Sequence, residues 1–463
     1  MMSSQGNLIA YLVDISWPLI AIWLYRTKSI QVATLWTILG GFMFLPVRTE
    51  IDFPLIPPLG KHSIPVLSAL IGIWLLKRQK ISYINNDRWV KGLLLLFLMS
   101  PFITVLLNGD PISIGSRTMP GLTNHDAISA TINQWLFVLP LLFGRQFFRT
   151  YEQQLLMFKT LVIAGLFYSI LMLFEIRMSP QLHTWLYGYF PHSFGQQKRF
   201  DGFRPVVFMG HGLWVAFFAM TISLAATTLW KNGDKIRKLS PAMVSYYLLG
   251  VLVLCKSMAS LFYGLYAYIL IRYTSTKTQF RLAIFLVMLA LLYPTMSILK
   301  VFPHQEVADL AGVIDQERAG SLMFRFNQEA ILLEHGAERF FFGWGGWGRN
   351  RVFNDETGKD ESVTDGRWII TFGVYGWFGF IAEFGLLTMT VFRAYIASKF
   401  VKDKKELNLL AAHAILVSLI IIDQLPNASL QPWLWLLAGV LLGRSDDIIS
   451  KHKILSKTLS NLK

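Results

Sequence analysis

The sequence predicts an all-α, polytopic integral membrane protein with about 12–13 transmembrane helices and one large extracytoplasmic loop. Three observations carry this. Hydrophobic residues fill 54% of the 463 positions and charged residues only 15%, where a soluble domain carries about a quarter; mean hydropathy is +0.46. Apolar runs recur along nearly the whole chain, many approaching the roughly 20 residues that cross a bilayer. The 43 Lys and Arg fall mostly in short loops between those runs, the pattern of cytoplasmic loops facing anionic lipid. That placement explains the net charge of +15 without nucleic acid.

Taken in order, spans are expected at 8–25, 31–47, 64–76, 90–107, 127–144, 155–175, 206–229, 242–255, 257–271, 282–299, 368–391, 408–423 and 431–443. The first run, Leu8 to Tyr25, follows an uncharged start and contains Asp14, unlike a cleavable signal. Between 176 and 205, Leu182, Trp185, Leu186 and Tyr189 share one helical face and suit a helix lying in the interface. The interval 242–271 reads as a short hairpin turning at Lys256-Ser257, because two crossings keep the basic loops on either side of it together. Three regions follow: 1–299 with ten spans, a large loop at 300–367, and 368–463 with three spans and a basic cytoplasmic tail. The single cysteine, Cys255, lies in an apolar run, so no internal disulfide and no Cys-based metal site can form.

The loop is where polar chemistry can meet water. Within it, Ser321 to Glu329 is helix-like, with Gly336 as a stop, and places Arg325 and Glu329 four residues apart on one face. Arg199, Arg204, Lys256 and Arg325 all fall on the outer side, and several cations there suit a ligand with several phosphate charges, since Arg forks match phosphate oxygens. The bland reading is that arginines near spans snorkel or pair with local acids. Asp365, where the loop re-enters the membrane, is a candidate general base or a cap for the helix that follows. Trp344 and Trp347, in the run Gly343 to Gly348, offer indole faces for sugar rings or simply anchor an interfacial turn. His211, at the outer start of its span, reads as a ligand contact or a packing histidine. Asp355, Glu356, Asp360 and Glu361 lack the spacing of a calcium loop and read as a solvated acidic turn. Asp14, Glu383, His413 and Asp423 are ionisable groups within spans but share no spacing.

Several of these segments, in their order, resemble a known family. Arg325, an apolar helix and then Phe341-Phe342-Gly343-Trp344-Gly345-Gly346-Trp347-Gly348 are similar to the loop signature of the O-antigen ligase and polysaccharide repeat-unit polymerase (Wzy-like) superfamily, in which an Arg-bearing helix leads to a G-x-G turn and then a G-x-x-G span. Here that span reads Gly373-Val374-Tyr375-Gly376. The stretch Leu254 to Leu261 resembles the family's hairpin, with Lys256 before Ser257 and Met258 after it where the family has an Arg. Asp365 or Gly366 stands where ligases carry a His, which favours a polymerase-like member over a ligase.

The resemblance implies a membrane glycosyltransferase at the outer face of the bacterial plasma (inner) membrane, acting in exopolysaccharide, capsule or O-antigen synthesis. Its donor would be an oligosaccharide on a polyprenyl (undecaprenyl) pyrophosphate and its acceptor another lipid-linked saccharide. A chain-length regulator or export machinery would be the further partner to expect, with no cofactor, no metal and no nucleic acid. Under it, Arg199, Arg204, Lys256 and Arg325 bind pyrophosphate, Arg325 and Asp365 are catalytic, and Trp344, Trp347 and His211 contact saccharide. O-antigen ligase and, from another class, a lipid-linked saccharide flippase or exporter are the alternatives.

Overall fold

The computed structural model describes residues 6–52, 57–81, 87–199, 202–236, 238–314 and 316–460. Its helices are α1 (Leu8–Thr27), α2 (Ile30–Phe44), α3 (Ser63–Ile71, continued by a π turn at Gly72–Leu76), α4 (Arg88–Leu106), α5 (Asn124–Phe147), α6 (Tyr151–Met178), α7 (Leu182–Tyr187), α8 (Gly212–Asn232), α9 (Pro241–Leu254), α10 (Met258–Tyr273), α11 (Thr276–Ile298), α12 (His304–Ile314), α13 (Gln316–Ala337), α14 (Arg367–Ser398), α15 (Lys404–Asp423) and α16 (Pro432–Ser460). Three two-stranded antiparallel ladders sit in the loops: β1 (Glu50–Ile51) with β2 (Leu59–Gly60), β3 (Ile112–Ile114) with β4 (Arg117–Met119), and β5 (Lys198–Arg199) with β6 (Gly202–Phe203). Among the described residues, eight helices are long and apolar enough to cross a membrane: α1, α4, α5, α6, α8, α11, α14 and α15. The other apolar segments read from the sequence fall on α2, α3, α9, α10 and α16.

The protein is therefore an all-helical, multi-pass membrane protein. Its centre is α8, which is buried along nearly its whole length and packs against α6, α9, α10 and α15. The residues between α11 and α14 are more ordered than a loop, since α12 and α13 fill their first half. The chain turns between α9 and α10 at Cys255–Ser257, where Lys256 takes φ 51° and Leu252 comes to face Gly264.

Small residues let α5 and α16 meet backbone to backbone. A Cβ added to Gly144 of α5 would lie 2.5 Å from the Val440 nitrogen of α16, and one on Gly439 would lie 2.2 Å from the Leu141 carbonyl oxygen. The two backbones meet because nothing stands between them, as small residues permit when both sides of an interface are apolar.

A second close approach breaks a helix. At Gly376 of α14 the backbone takes φ 67° and ψ −164°, which interrupts the helical hydrogen bonding. The run Phe340–Gly345 fills the gap. Trp344 and Gly345 donate their amides to the carbonyls of Gly373 and Val374 at 2.8 and 2.9 Å, while Trp377 and Phe378 donate to Phe340 and Phe341 at 2.8 and 3.2 Å. Backbone groups freed inside an apolar segment must find partners in the protein, and this clasp provides them. The two glycine motifs that carried the family resemblance are thus in direct contact: a Cβ on Gly343 would lie 2.6 Å from the Gly376 nitrogen.

The two ends of the bundle differ. At one end, Arg145 and Arg393 share Asp446, Arg393 also pairs with Asp87, and Arg444 pairs with Glu406 and Asp447. Those residues come from the basic loops that the sequence assigns to one side. At the other end the loops enclose a cavity.

Candidate functional site

The cavity has a volume of about 690 Å³ and is lined by six segments far apart in the chain. They are Val47–Arg48 after α2, the stretch from Pro191 to Trp214, the start of α10, the α13 turn with Phe324 and Arg325, the end of the large loop at Asp365, and Asp423–Ser429. Of the residues singled out in the sequence, Arg199, Arg204, His211, Arg325 and Asp365 all line it.

Each arginine is placed by its neighbours. Arg199 sits on β5 opposite Gly202, and its Nε is buried with no hydrogen-bond partner among the described residues. Arg204 extends that pairing, its amide donating to Gln197 at 2.8 Å, and its Nη2 donates to the Lys256 carbonyl at 3.1 Å. Its stem lies across Gly212, where an added Cβ would come within 2.2 Å of the Arg204 Cδ. Arg325 reaches from α13 to Asp365, Nε to Oδ2 3.4 Å, and donates Nη1 to the Pro426 carbonyl at 3.1 Å.

The backbone behind Arg204 is held from within the bundle. The Glu175 carboxylate of α6 accepts the amides of Leu182, Val206 and Val207 at 2.7 to 2.9 Å. Tyr168 accepts the Phe208 amide at 3.1 Å, and Lys61 donates to the Phe208 carbonyl at 2.9 Å. A charged acceptor for several amides is a strong anchor for a turn. Asp423 is likewise engaged, accepting from Asn427 at 2.9 Å and Ser429 at 2.6 Å.

Three expectations change in detail. Lys256 braces the site from behind: its carbonyl receives Arg204, its Nζ donates to the Arg199 carbonyl at 3.2 Å, and the cavity lining begins with its neighbour Ser257. Asp365 does not cap α14, whose N-cap is Gly366 with no side-chain bond; the Asp365 carboxylate faces Arg325 instead. Trp344 and Trp347 lie outside the cavity. Trp344 is buried, stacked on His335 at 4.4 Å and bonded to its carbonyl, because the clasp draws it in. Trp347 is 73% exposed and donates to Asp126 at the start of α5.

His211 caps α8, its Nδ1 accepting the Leu213 amide at 3.0 Å. The neutral ring then carries its proton on Nε2, so His211 offers the cavity a donor and not a base. His192 meets it edge to face at 4.5 Å. Arg48, His192, Trp214, Phe324 and Asn427 also line the cavity, and the sequence reading missed them. Arg48 carried a usable signal, as a cation just beyond an apolar span on the outer side.

Chemically the cavity presents four guanidinium groups (Arg48, Arg199, Arg204 and Arg325), neutral donors, and two carboxylates already engaged. That balance fits a compact ligand with more than one negative charge. Among the described residues, no group of three or more His, Cys, Asp or Glu is placed to hold a metal ion. Comparison with protein-family models and with curated proteins found no match to the chain.

Proposed function

We propose that the chain is a polysaccharide repeat-unit polymerase that transfers a saccharide from a polyprenyl-pyrophosphate donor to a lipid-linked acceptor at the outer face of a bacterial plasma membrane. The observation that carries this reading is the convergence of Arg48, Arg199, Arg204 and Arg325 on one cavity at one end of the bundle. In this reading all thirteen apolar segments cross the membrane, α12 and α13 lie outside, and the ion-paired end faces the cytoplasm. The donor's leaving group is already activated, so the protein must neutralise pyrophosphate and align an acceptor hydroxyl. Guanidinium forks do the first. The family resemblance noted in the sequence supports the same reading by an independent route.

A flippase or exporter would need cations that open towards both leaflets. Here Arg145, Arg393 and Arg444 at the far end are tied to carboxylates, which favours transfer over transport. Mass analysis of the lipid-linked saccharides that accumulate in cells lacking the protein tests the assignment. Single repeat units are expected; long unattached chains would indicate a ligase instead.

A further inference from the structure

The polymerase reading requires a group that takes the acceptor's proton, and the arginine cavity offers His192 beside two carboxylates and His211. Asp365 is held by Arg325, Asp423 by Asn427 and Ser429, and His211 presents Nε2–H. A second cavity lies next to the first. It has a volume of about 500 Å³ and occupies the space between α11, α13 and the start of α14. The two share a wall. On α13, Arg325 lines the first cavity and Glu329, one turn on, lines the second. Across from them, Asp365 lines the first and Trp368 the second. The wall is stitched twice, by the Arg325–Asp365 pair and by Trp368 Nε1 donating to Glu329 at 3.1 Å.

The second cavity has the character of a sugar site. Phe326 and His304 present aromatic rings 4.6 Å apart, while Asn327, Lys300 and Glu329 present donors and acceptors. The rest of the lining is mostly apolar, Ile298, Met323, Ile331 and Leu333 among it, and a hexose offers both a C–H face for the rings and apolar side chains and hydroxyls for the few polar groups. Its volume falls within the range of small-ligand sites.

We propose that this second cavity receives the acceptor saccharide and that Glu329, in the shared wall, takes the proton of the attacking hydroxyl. The inference rests on the polymerase reading. In the step, the acceptor oxygen forms its bond to the donor's anomeric carbon while its proton passes to the Glu329 carboxylate. The bond from the anomeric carbon to the pyrophosphate oxygen breaks, and its electron pair leaves with the lipid pyrophosphate, between the arginines. The proton then goes to water. Glu329 accepts Tyr293 OH at 2.5 Å, and Arg325, Asp365, Lys300, His304 and Glu334 are the charged or titratable groups around it. Burial pushes its carboxyl up to about 7 against the pull of Tyr293, Trp368 and Arg325, which suits a base working near neutrality.

The test uses the full-length protein in nanodiscs, a lipid-linked repeat unit as donor, and the same oligosaccharide on a short alkyl chain, which has no leaving group and serves only as acceptor. Phe326→Ala should raise the acceptor KM about 10-fold with the donor KM unchanged. Glu329→Gln should lower kcat about 10²-fold or more and abolish the rise in rate with pH through about 7. Neither should weaken binding of inorganic pyrophosphate, which reports the first cavity. A Glu329→Gln enzyme with normal kcat and an unchanged pH profile would overturn the role of Glu329. A Phe326→Ala enzyme with an unchanged acceptor KM, or with a raised donor KM, would overturn the site. Loss of pyrophosphate binding or of all transfer in the wild type would instead remove the polymerase reading, and the inference with it.

Discussion

Arg325, midway along α13, and Asp365, at the end of the large loop, meet at 3.4 Å on the wall of the arginine cavity. The pair turns the guanidinium towards the space where an anion would sit, with the Pro426 carbonyl fixing a second nitrogen. Replacing Arg325 by Lys keeps the charge but removes the fork. Each hydrogen bond to a charged partner is worth about 1.5–3 kcal/mol, so Arg325→Lys should weaken inorganic pyrophosphate binding by about 10-fold or more, read by calorimetry. Protein abundance and melting temperature should stay near wild type, because the side chain lies on a polar surface and opens no core cavity.

Asp365 competes with the ligand for the same guanidinium. Asp365→Asn should therefore leave pyrophosphate binding as tight as before, or tighter. Turnover should stay within about 10-fold and keep the wild-type pH profile, since general-base loss costs about 10² or more. Steady-state transfer by the purified variant is the measurement. A collapse of kcat with normal donor binding would return the base to Asp365.

The break in α14 makes a stability prediction. Gly376 occupies a backbone region open essentially to glycine alone, where another residue costs about 1–3 kcal/mol. A Cβ there would also come within 2.3 Å of the Phe341 carbonyl carbon. Gly376→Ala should lower the melting temperature by several degrees and loosen the clasp. Gly250→Ala, in α9 with nothing within 4 Å of the new methyl, should leave it unchanged or slightly raised. Thermal unfolding of both variants in detergent compares them directly.

Glu329 couples stability to pH. Its carboxyl is raised from the ordinary 4.5 to about 7, so between those values the folded protein holds a proton that the unfolded chain has released. Stability from this group is therefore complete below about 4.5, falls as pH rises to about 7, and is level above. Glu329→Gln removes the dependence. The melting temperature of the variant relative to wild type should thus climb between pH 4.5 and 7 and then plateau. A relative stability that stays flat over that window would contradict the raised carboxyl.

Much of this was legible in the sequence, for physical reasons. Apolar runs report helices because lipid leaves the backbone no other partner, and the cations at Arg199, Arg204 and Arg325 stood out because most Lys and Arg fall in the loops assigned to the opposite side. What the sequence hid was pairing across distance. Nothing in the run from Gly343 to Gly348 tells that its backbone mends a break at Gly376, so its tryptophans read as sugar contacts. Glu175 was hidden among apolar residues of α6, although it anchors the turn that carries Arg204. Asp365 read as a cap because Asp caps well, while Gly366 and the chain after α15 in fact begin α14, the Arg367 amide donating to Gln424 and Asn427 carbonyls.

The central claim is that the arginine cavity holds the pyrophosphate of a lipid-linked donor while a new glycosidic bond forms. Purified protein in nanodiscs, given a polyprenyl-pyrophosphate oligosaccharide, tests it by mass analysis of the products. The account predicts lipid-linked saccharides longer by whole repeat units, one polyprenyl pyrophosphate released per bond, and loss of both with Arg325→Ala. Recovery of the oligosaccharide unchanged by folded, pyrophosphate-binding protein, with the same material translocated across a vesicle bilayer, would contradict it.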